Sequence, residues 1–419
     1  MSRLRRGHWV ALLFFLLVVL IATGFWFWQT GPSRQEWQQV EAAFQRHDLA
    51  TAAVHLDRYL KHRPHDSDAW LLAGRTARRL DRFIKAEEYL IRCQELAGIT
   101  DATRLEWDLL RIQQGDLGDV HLRLRMTITP DHPDAPLVLE ALARGYIATD
   151  RLRDALDACD LWVDRQPNHP GPWFWRGTIL ERLGHNSQAM PDYQRAMELA
   201  PQDREVRLAV ARQFDMFRQP NSAAEQYEYL LTRDPDDVEA LLGMAECWIE
   251  RGRPADAVPL LDRVMARNPI PAAGHFLRGR VALELNDASA AEQWLTRAVE
   301  ESPDNAEAWH HLILSLRAQG KSAEADRLAP RLEAIRQDLQ RLSEMVASVA
   351  LHPDEVGPRH EAGVVALRLG RYDEGVRWLQ SALRARGDHR PTHAALAEHF
   401  ESRGDPRAQA HSRAAGQTP

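Results

Sequence analysis

Residues 168–201 read NHPGPWFWRGTILERLGHNSQAMPDYQRAMELAP, and the proline that closes this stretch is one of a series. Pro133, Pro167, Pro201, Pro235, Pro269 and Pro303 follow one another at intervals of 34 residues. A fixed period of that length marks one supersecondary unit copied end to end, because a single copy cannot bury its apolar face alone. Small residues such as Gly177 and Ala189 suit the place where two helices cross, since a larger side chain there would push the axes apart. Pro201 follows the second helix and stops it. Trp173 and Tyr193 are expected to pack onto the neighbouring copy.

The neighbours keep the phase. Ala211, Phe214, Ala223, Tyr227, Leu230 and Pro235 form one copy; Leu241, Ala245, Trp248, Ala257, Leu261, Val264 and Pro269 the next; Gly279, Ala282, Ala291, Leu295, Ala298 and Pro303 a third. Trp309, Leu312, Leu316 and Ala325 open a fourth. With Trp173, Gly177, Leu180, Ala189, Tyr193, Ala196 and Pro201, this pattern resembles the tetratricopeptide (TPR) repeat. The resemblance implies an all-α fold, a right-handed superhelical solenoid of about 10–11 helix-turn-helix repeats.

Outward from this core, Trp70, Gly74, Ala77, Ala86 and Leu90 make a second repeat, preceded by a first around Trp37, Phe44, Ala52, Leu56 and Pro64. Residues 102–133 hold Leu105, Leu109, Ile112 and Leu122, but LRLRMTITP (122–130) is rich in β-branched residues and lacks the expected alanines. That copy is expected to be irregular. Gly363, Ala366, Leu379 and Ala382 give a late repeat, and the more polar segment with Leu396 and Phe400 reads as a cap. About sixteen extra residues separate Ala325 from Gly363 relative to the period. There Leu328, Leu332, Ile335, Leu339, Leu342, Val346 and Val349 alternate spacings of four and three, the apolar seam of a heptad. Two readings stand: an elongated repeat helix packed on its own array, started or kinked by Pro330, or a coiled-coil edge at 328–349 for a homodimer.

At the start of the chain, Arg3, Arg5 and Arg6 precede Trp9–Trp28, WVALLFFLLVVLIATGFWFW, 20 residues without a charge. As a helix this run rises about 30 Å, enough for the hydrocarbon core of a bilayer. Trp9 at one end and Trp26 and Trp28 at the other fit an interfacial belt, and the arginines favour a cytoplasmic N-terminus. The competing reading is a cleaved signal peptide with Ala22 and Gly24 at −3 and −1. Both export the array. The expected layout is a basic tail at 1–8, a transmembrane helix at 9–28, a TPR array at 33–321, the elongated helix at 322–355, and C-terminal repeats with a cap at 356–415.

The net charge of −7 is no basic footprint for nucleic acid. Cys93, Cys159 and Cys247 lie in separate repeats, too far apart in a linear stack to form a disulfide, and read as small buried residues. No Cys-x-x-Cys pair exists. The lipopolysaccharide assembly regulators have a similar anchor-plus-TPR layout but carry a four-cysteine metal tab that this chain lacks. His310 and His311 are adjacent and diverge on a helix. His62, His65, His389, His393 and His399 are read as surface or ordinary packing. With no nucleophile elbow, Walker loop, dinucleotide fingerprint or zincin motif, the expectation is no enzyme, no cofactor and no metal.

By resemblance to TPR proteins, the first helix of each repeat lines a groove for a peptide or a partner helix. In the phase of the prolines the groove positions include Arg75, Arg78, Arg79, Phe174, Arg212, Phe276, Arg280, His310 and Arg317. Arginines and aromatics of this kind suit an extended ligand bearing carboxylates, although Glu246 and Glu250 interrupt the basic character. Heat-shock-protein clamps of TPR co-chaperones use Lys and Asn where this chain has Phe174, Thr178, Phe276 and Arg280, so that clamp is not expected. The reading is a protein-interaction scaffold anchored in the inner membrane by 9–28, with its array in the periplasm or otherwise extracytoplasmic and partners in a cell-envelope assembly. Its alternative is a substrate-recruiting subunit of a membrane enzyme complex.

Overall fold

The computed structural model describes residues 31–129, 131–352 and 354–416. The expected membrane span at 9–28 lies outside them. Among the described residues no helix is long and apolar enough to cross a membrane.

The described residues form 22 helices and no strand, and the helices come in eleven consecutive pairs. The pairs are α1 (Pro32–Gln45) with α2 (Leu49–His62), α3 (Ser67–Arg79) with α4 (Phe83–Ala97), α5 (Asp101–Gln113) with α6 (Asp119–Arg125), and α7 (Ala135–Ala148) with α8 (Leu152–Arg165). Next are α9 (Pro170–Arg182) with α10 (Asn186–Leu199), α11 (Arg204–Met216) with α12 (Pro220–Arg233), α13 (Val238–Glu250) with α14 (Pro254–Met265), and α15 (Ala272–Glu284) with α16 (Ala288–Glu301). Last come α17 (Ala306–Ala318) with α18 (Ser322–Leu351), α19 (Val356–Arg368) with α20 (Tyr372–Ala385), and α21 (Arg390–Glu401) with α22 (Arg407–Ala415). The chain divides into two compact units, Met1–Gly145 and Tyr146–Pro419, with the division inside α7.

The period is written in the joints. At four of the joints between repeats the sequence is Pro-x-Asx: the proline ends one pair, and two residues later Asp66, Asp203, Asp237 or Asn305 caps the next first helix by accepting from its backbone N–H groups. The large residue four positions into the helix returns to the same proline. Trp70, Trp173 and Trp309 donate Nε1–H to the carbonyls of Pro64, Pro167 and Pro303, and Arg207 does the same to Pro201. Within repeats, the turn between helices needs a left-handed residue, as helix C-termini often do. His47, Asp81, Gly115, Asp150, Gly184, Arg218, Gly252, Asn286, Gly320, Gly370 and Gly404 all have positive φ.

The crossing positions behave as their size demands. The nearest partners a Cβ on Gly177 would meet are atoms of the Tyr193 ring at 3.0 Å, and a Cβ on Gly279 would lie 2.5 Å from Leu295 Cγ. Ala189, Ala223, Ala257 and Ala291 are fully buried on the second helices. The third repeat departs as its sequence suggests, because α6 has only 7 residues.

The extra residues before Gly363 form no loop. α18 has 30 residues where α16 has 14, so the excess of sixteen lies in one helix that runs through Pro330. Its seam is covered by the chain itself. Leu328 and Leu332 belong to the cluster of α15–α17, while Ile335, Leu342 and Val349 pack with Ala362, Val365, Ala366, Leu369 and Trp378, flanked by Trp309, Leu339 and Val346. The dimer edge at 328–349 is corrected on this ground: the seam already has its partners.

Candidate functional site

In the second unit, Thr178, Arg212, Glu246, Arg280 and Leu314 occupy one equivalent position on the first helices α9, α11, α13, α15 and α17. Arg280 Nη1 reaches Glu246 Oε1 at 3.2 Å, so residues one period apart are neighbours along a stripe. Arg212 and Leu314 are exposed, and Arg212 has no ion-pair partner among the described residues. Phe174 is half-buried, edge-on to Trp175 at 5.4 Å. His310 and Arg317 are exposed; Arg317 pairs loosely with Asp326 at 3.3 Å. Burial lowers the His310 pKa, with His311 and the cations Arg336 and Arg317 adding to the effect.

Carboxylates crowd the same region. Asp215 accepts from Tyr227 Oη at 2.7 Å, yet its pKa is pushed up to about 6, chiefly by burial and further by Glu246 and Glu250. The Glu246 carboxyl is also raised, first by burial; Arg280 opposes this, and Glu250 and Glu307 reinforce it. Glu250 is met by Arg218 at 2.8 Å. This face therefore mixes accessible cations with carboxylates under mutual repulsion, a surface able to read charge along an extended chain.

Two expected groove residues are core residues instead. Phe276 is 7% exposed and packs in the α15–α17 cluster. Arg78 is fully buried, with Nε 3.1 Å from Glu106 Oε2 and Nη1 2.9 Å from Gln113 Oε1.

The basic end built on Arg75, Arg78 and Arg79 is thus an internal ion network of the first unit. Arg75 meets Glu106 Oε1 at 2.5 Å, and Arg79 meets Glu140 Oε1 at 2.8 Å. Arg144 joins them, giving one hydrogen bond to the Arg79 carbonyl at 2.7 Å and pairing with Asp81 at 2.6 Å. Burial raises the Glu140 pKa, but Arg79, Arg78 and Arg144 outweigh it and hold the carboxyl below its ordinary value. A fully desolvated guanidinium needs such partners and cannot be lent to a ligand. The available signal was that Glu106 and Glu140 stand one period apart on first helices, opposite the arginine run.

Cys93, Cys159 and Cys247 are free and buried, and burial raises all three thiol pKa values. His275, passed over in the sequence, is 3% exposed, bonded to Glu301 at 2.9 Å and stacked on Trp294. Among the described residues no group of three His, Cys, Asp or Glu side chains could hold a metal ion.

Tetratricopeptide repeat family models match residues 142–214, 217–280, and 38–92 with 276–326. Cellulose synthase operon protein C of Xanthomonas axonopodis pv. citri is 26% identical over 61% of this chain and 15% of its own length. Protein FlbA of Caulobacter vibrioides is 24% identical over 51% of this chain and 37% of its own length. The chain thus spans well under half of either relative. Among solved structures, PilW, a type IV pilus biogenesis factor, aligns with a TM-score of 0.43 at 18% identity, covering 48% of this chain and 92% of PilW. A tetratricopeptide repeat protein from Parabacteroides merdae aligns at 0.36 and 16% identity over 68% of this chain and 98% of its own. From the 34-residue period through the paired helices to the matching family models, the chain belongs to the tetratricopeptide repeat family.

Proposed function

We propose that the chain is a non-catalytic scaffold whose second unit binds an extended segment of a partner protein along the first helices α9–α17. The stripe of Thr178, Arg212, Glu246, Arg280 and Leu314 carries this reading, because it offers one chemically distinct position per repeat to a ligand running across the repeats. In this account the repeats wind as a right-handed superhelix and the stripe faces its groove. Residues 9–28 anchor the chain in the inner membrane with the N-terminus in the cytoplasm, the array stands in the periplasm, and the partner belongs to a cell-envelope assembly. A second reading is an accessory subunit that recruits substrate to a membrane enzyme complex; the relative named for a cellulose synthase operon favours it.

The test is charge reversal of Arg212 and Arg280 to Glu in the full-length chain, purified from its native membrane in mild detergent. The expected result is loss of the partner that accompanies the unmodified chain, with helix content unchanged. Full retention of that partner would overturn the groove reading. For the anchor, the intact protein should begin at Met1 or Ser2 and resist alkaline extraction; a start at Phe25 would overturn it.

A further inference from the structure

We propose that His393 and His411 form a transition-metal site, best matched to Cu2+ or Ni2+, that staples the last helix α22 to α21. The two Nδ1 atoms lie 2.8 Å apart, while His393 Nε2 sits 2.9 Å from the Gly387 carbonyl oxygen. A carbonyl only accepts, so Nε2 carries the hydrogen and, in the neutral ring, His393 Nδ1 presents a lone pair. His411 Nδ1–H must then donate to it. His393 thus has its far N–H held by a backbone carbonyl, as metal-ligating histidines do, and its near nitrogen is engaged only by the His411 N–H.

An ion about 2.0 Å from each nitrogen would subtend close to 90° across that separation, the angle between neighbouring ligands of a square-planar or octahedral ion and too narrow for tetrahedral zinc. The ion takes the place of the shared hydrogen, that proton passing through water from His411 Nδ1 to His411 Nε2 so that both rings stay neutral, and the rings, now 37° apart with centroids at 5.1 Å, rotate until both lone pairs converge. Both side chains are half-buried, leaving the remaining coordination positions to water. The nearby Arg407 cation is paired with Asp405 at 2.6 Å, which offsets its charge. The site matters to the fold because α22 has no buried residue and meets the last apolar cluster through Ala408 and through His411 and Arg407 against the Phe400 ring.

The test is titration of the full-length chain with CuCl2, NiCl2 and ZnCl2 in a non-coordinating buffer, for the unmodified protein and for His393→Gln and His411→Gln. One Cu2+ should bind in the tightest phase, with copper ahead of nickel and zinc, and each substitution should weaken that phase at least tenfold. The copper resonance of the unmodified protein should show two equatorial nitrogens, and the ion should slow hydrogen exchange across Arg407–Ala415. A copper isotherm indifferent to both substitutions, a resonance without two nitrogens, or exchange in α22 unmoved by the ion would overturn the proposal. The unmodified protein alone decides the last two, so a variant that loosens α22 leaves the test intact.

Discussion

Alanine at Gly363 and alanine at Gly357, six residues apart on α19, should change stability in opposite directions. Where α19 crosses α20, a Cβ on Gly363 would lie 2.6 Å from Leu379 Cγ, 2.8 Å from Leu379 Cδ2 and 3.0 Å from the Gly375 carbonyl oxygen. Leu379 is fully buried against Leu396 and Phe400 and has nowhere to retreat, and the carbonyl belongs to a helix backbone. Overpacking of this kind costs about 1–3 kcal/mol. Alanine returns up to about 1 kcal/mol of helix propensity, which leaves a net loss of up to about 2 kcal/mol. At Gly357 no atom lies within 4 Å of the added Cβ, so only the propensity gain remains, a stabilisation of up to about 1 kcal/mol. Repeats open locally, so hydrogen exchange read on α19 and α20 alongside urea unfolding is the suitable assay. Combining Gly363→Ala with Leu379→Ala removes the two tightest contacts, and the double-mutant cycle should show coupling of about 1 kcal/mol or more. Equal signs at the two glycines, or no coupling, would refute the packing argument.

In the first unit, Glu106→Ala strands the buried Arg78 guanidinium and should cost about 3–5 kcal/mol of local stability by exchange on α3 and α5; a loss below about 1 kcal/mol would mean that the network is not what holds these repeats. Asp215 titrates at about 6 in the fold against an ordinary 3.8, so the protonated form favours the folded state. Its contribution is fully present below the ordinary value and is lost as pH rises through about 6. Asp215→Asn should therefore raise Tm at pH 7, leave it nearly unchanged at pH 3, and flatten the slope between; an unchanged slope would contradict the assigned environment.

The repeat was legible because its marks are local: prolines at a fixed spacing and small residues at crossings. The left-handed turn was less so, since His47, Asp81, Arg218 and Asn286 take that position as readily as the glycines. Asn and Asp suit the left-handed region better than most residues. The shortness of α6 could be read from its β-branched run. The site was harder, because the period says which residues share a face but not how their charges settle. Arg75, Arg78 and Arg79 look like a basic edge until Glu106 and Glu140 are stacked beside them, and Phe276 looks like a groove aromatic until α17 covers it. The seam of α18 carried the same ambiguity. A heptad asks for a partner, and only the fold shows that α17, α19 and α20 supply it.

A photo-cross-linking amino acid placed at residues 178, 212 and 314, and separately at 194 and 228 on the second helices α10 and α12, would identify the binding face in the full-length chain in its native cells. The account predicts that the first three positions capture the same protein and the last two do not. Capture from both faces alike, or from 194 and 228 alone, would contradict it.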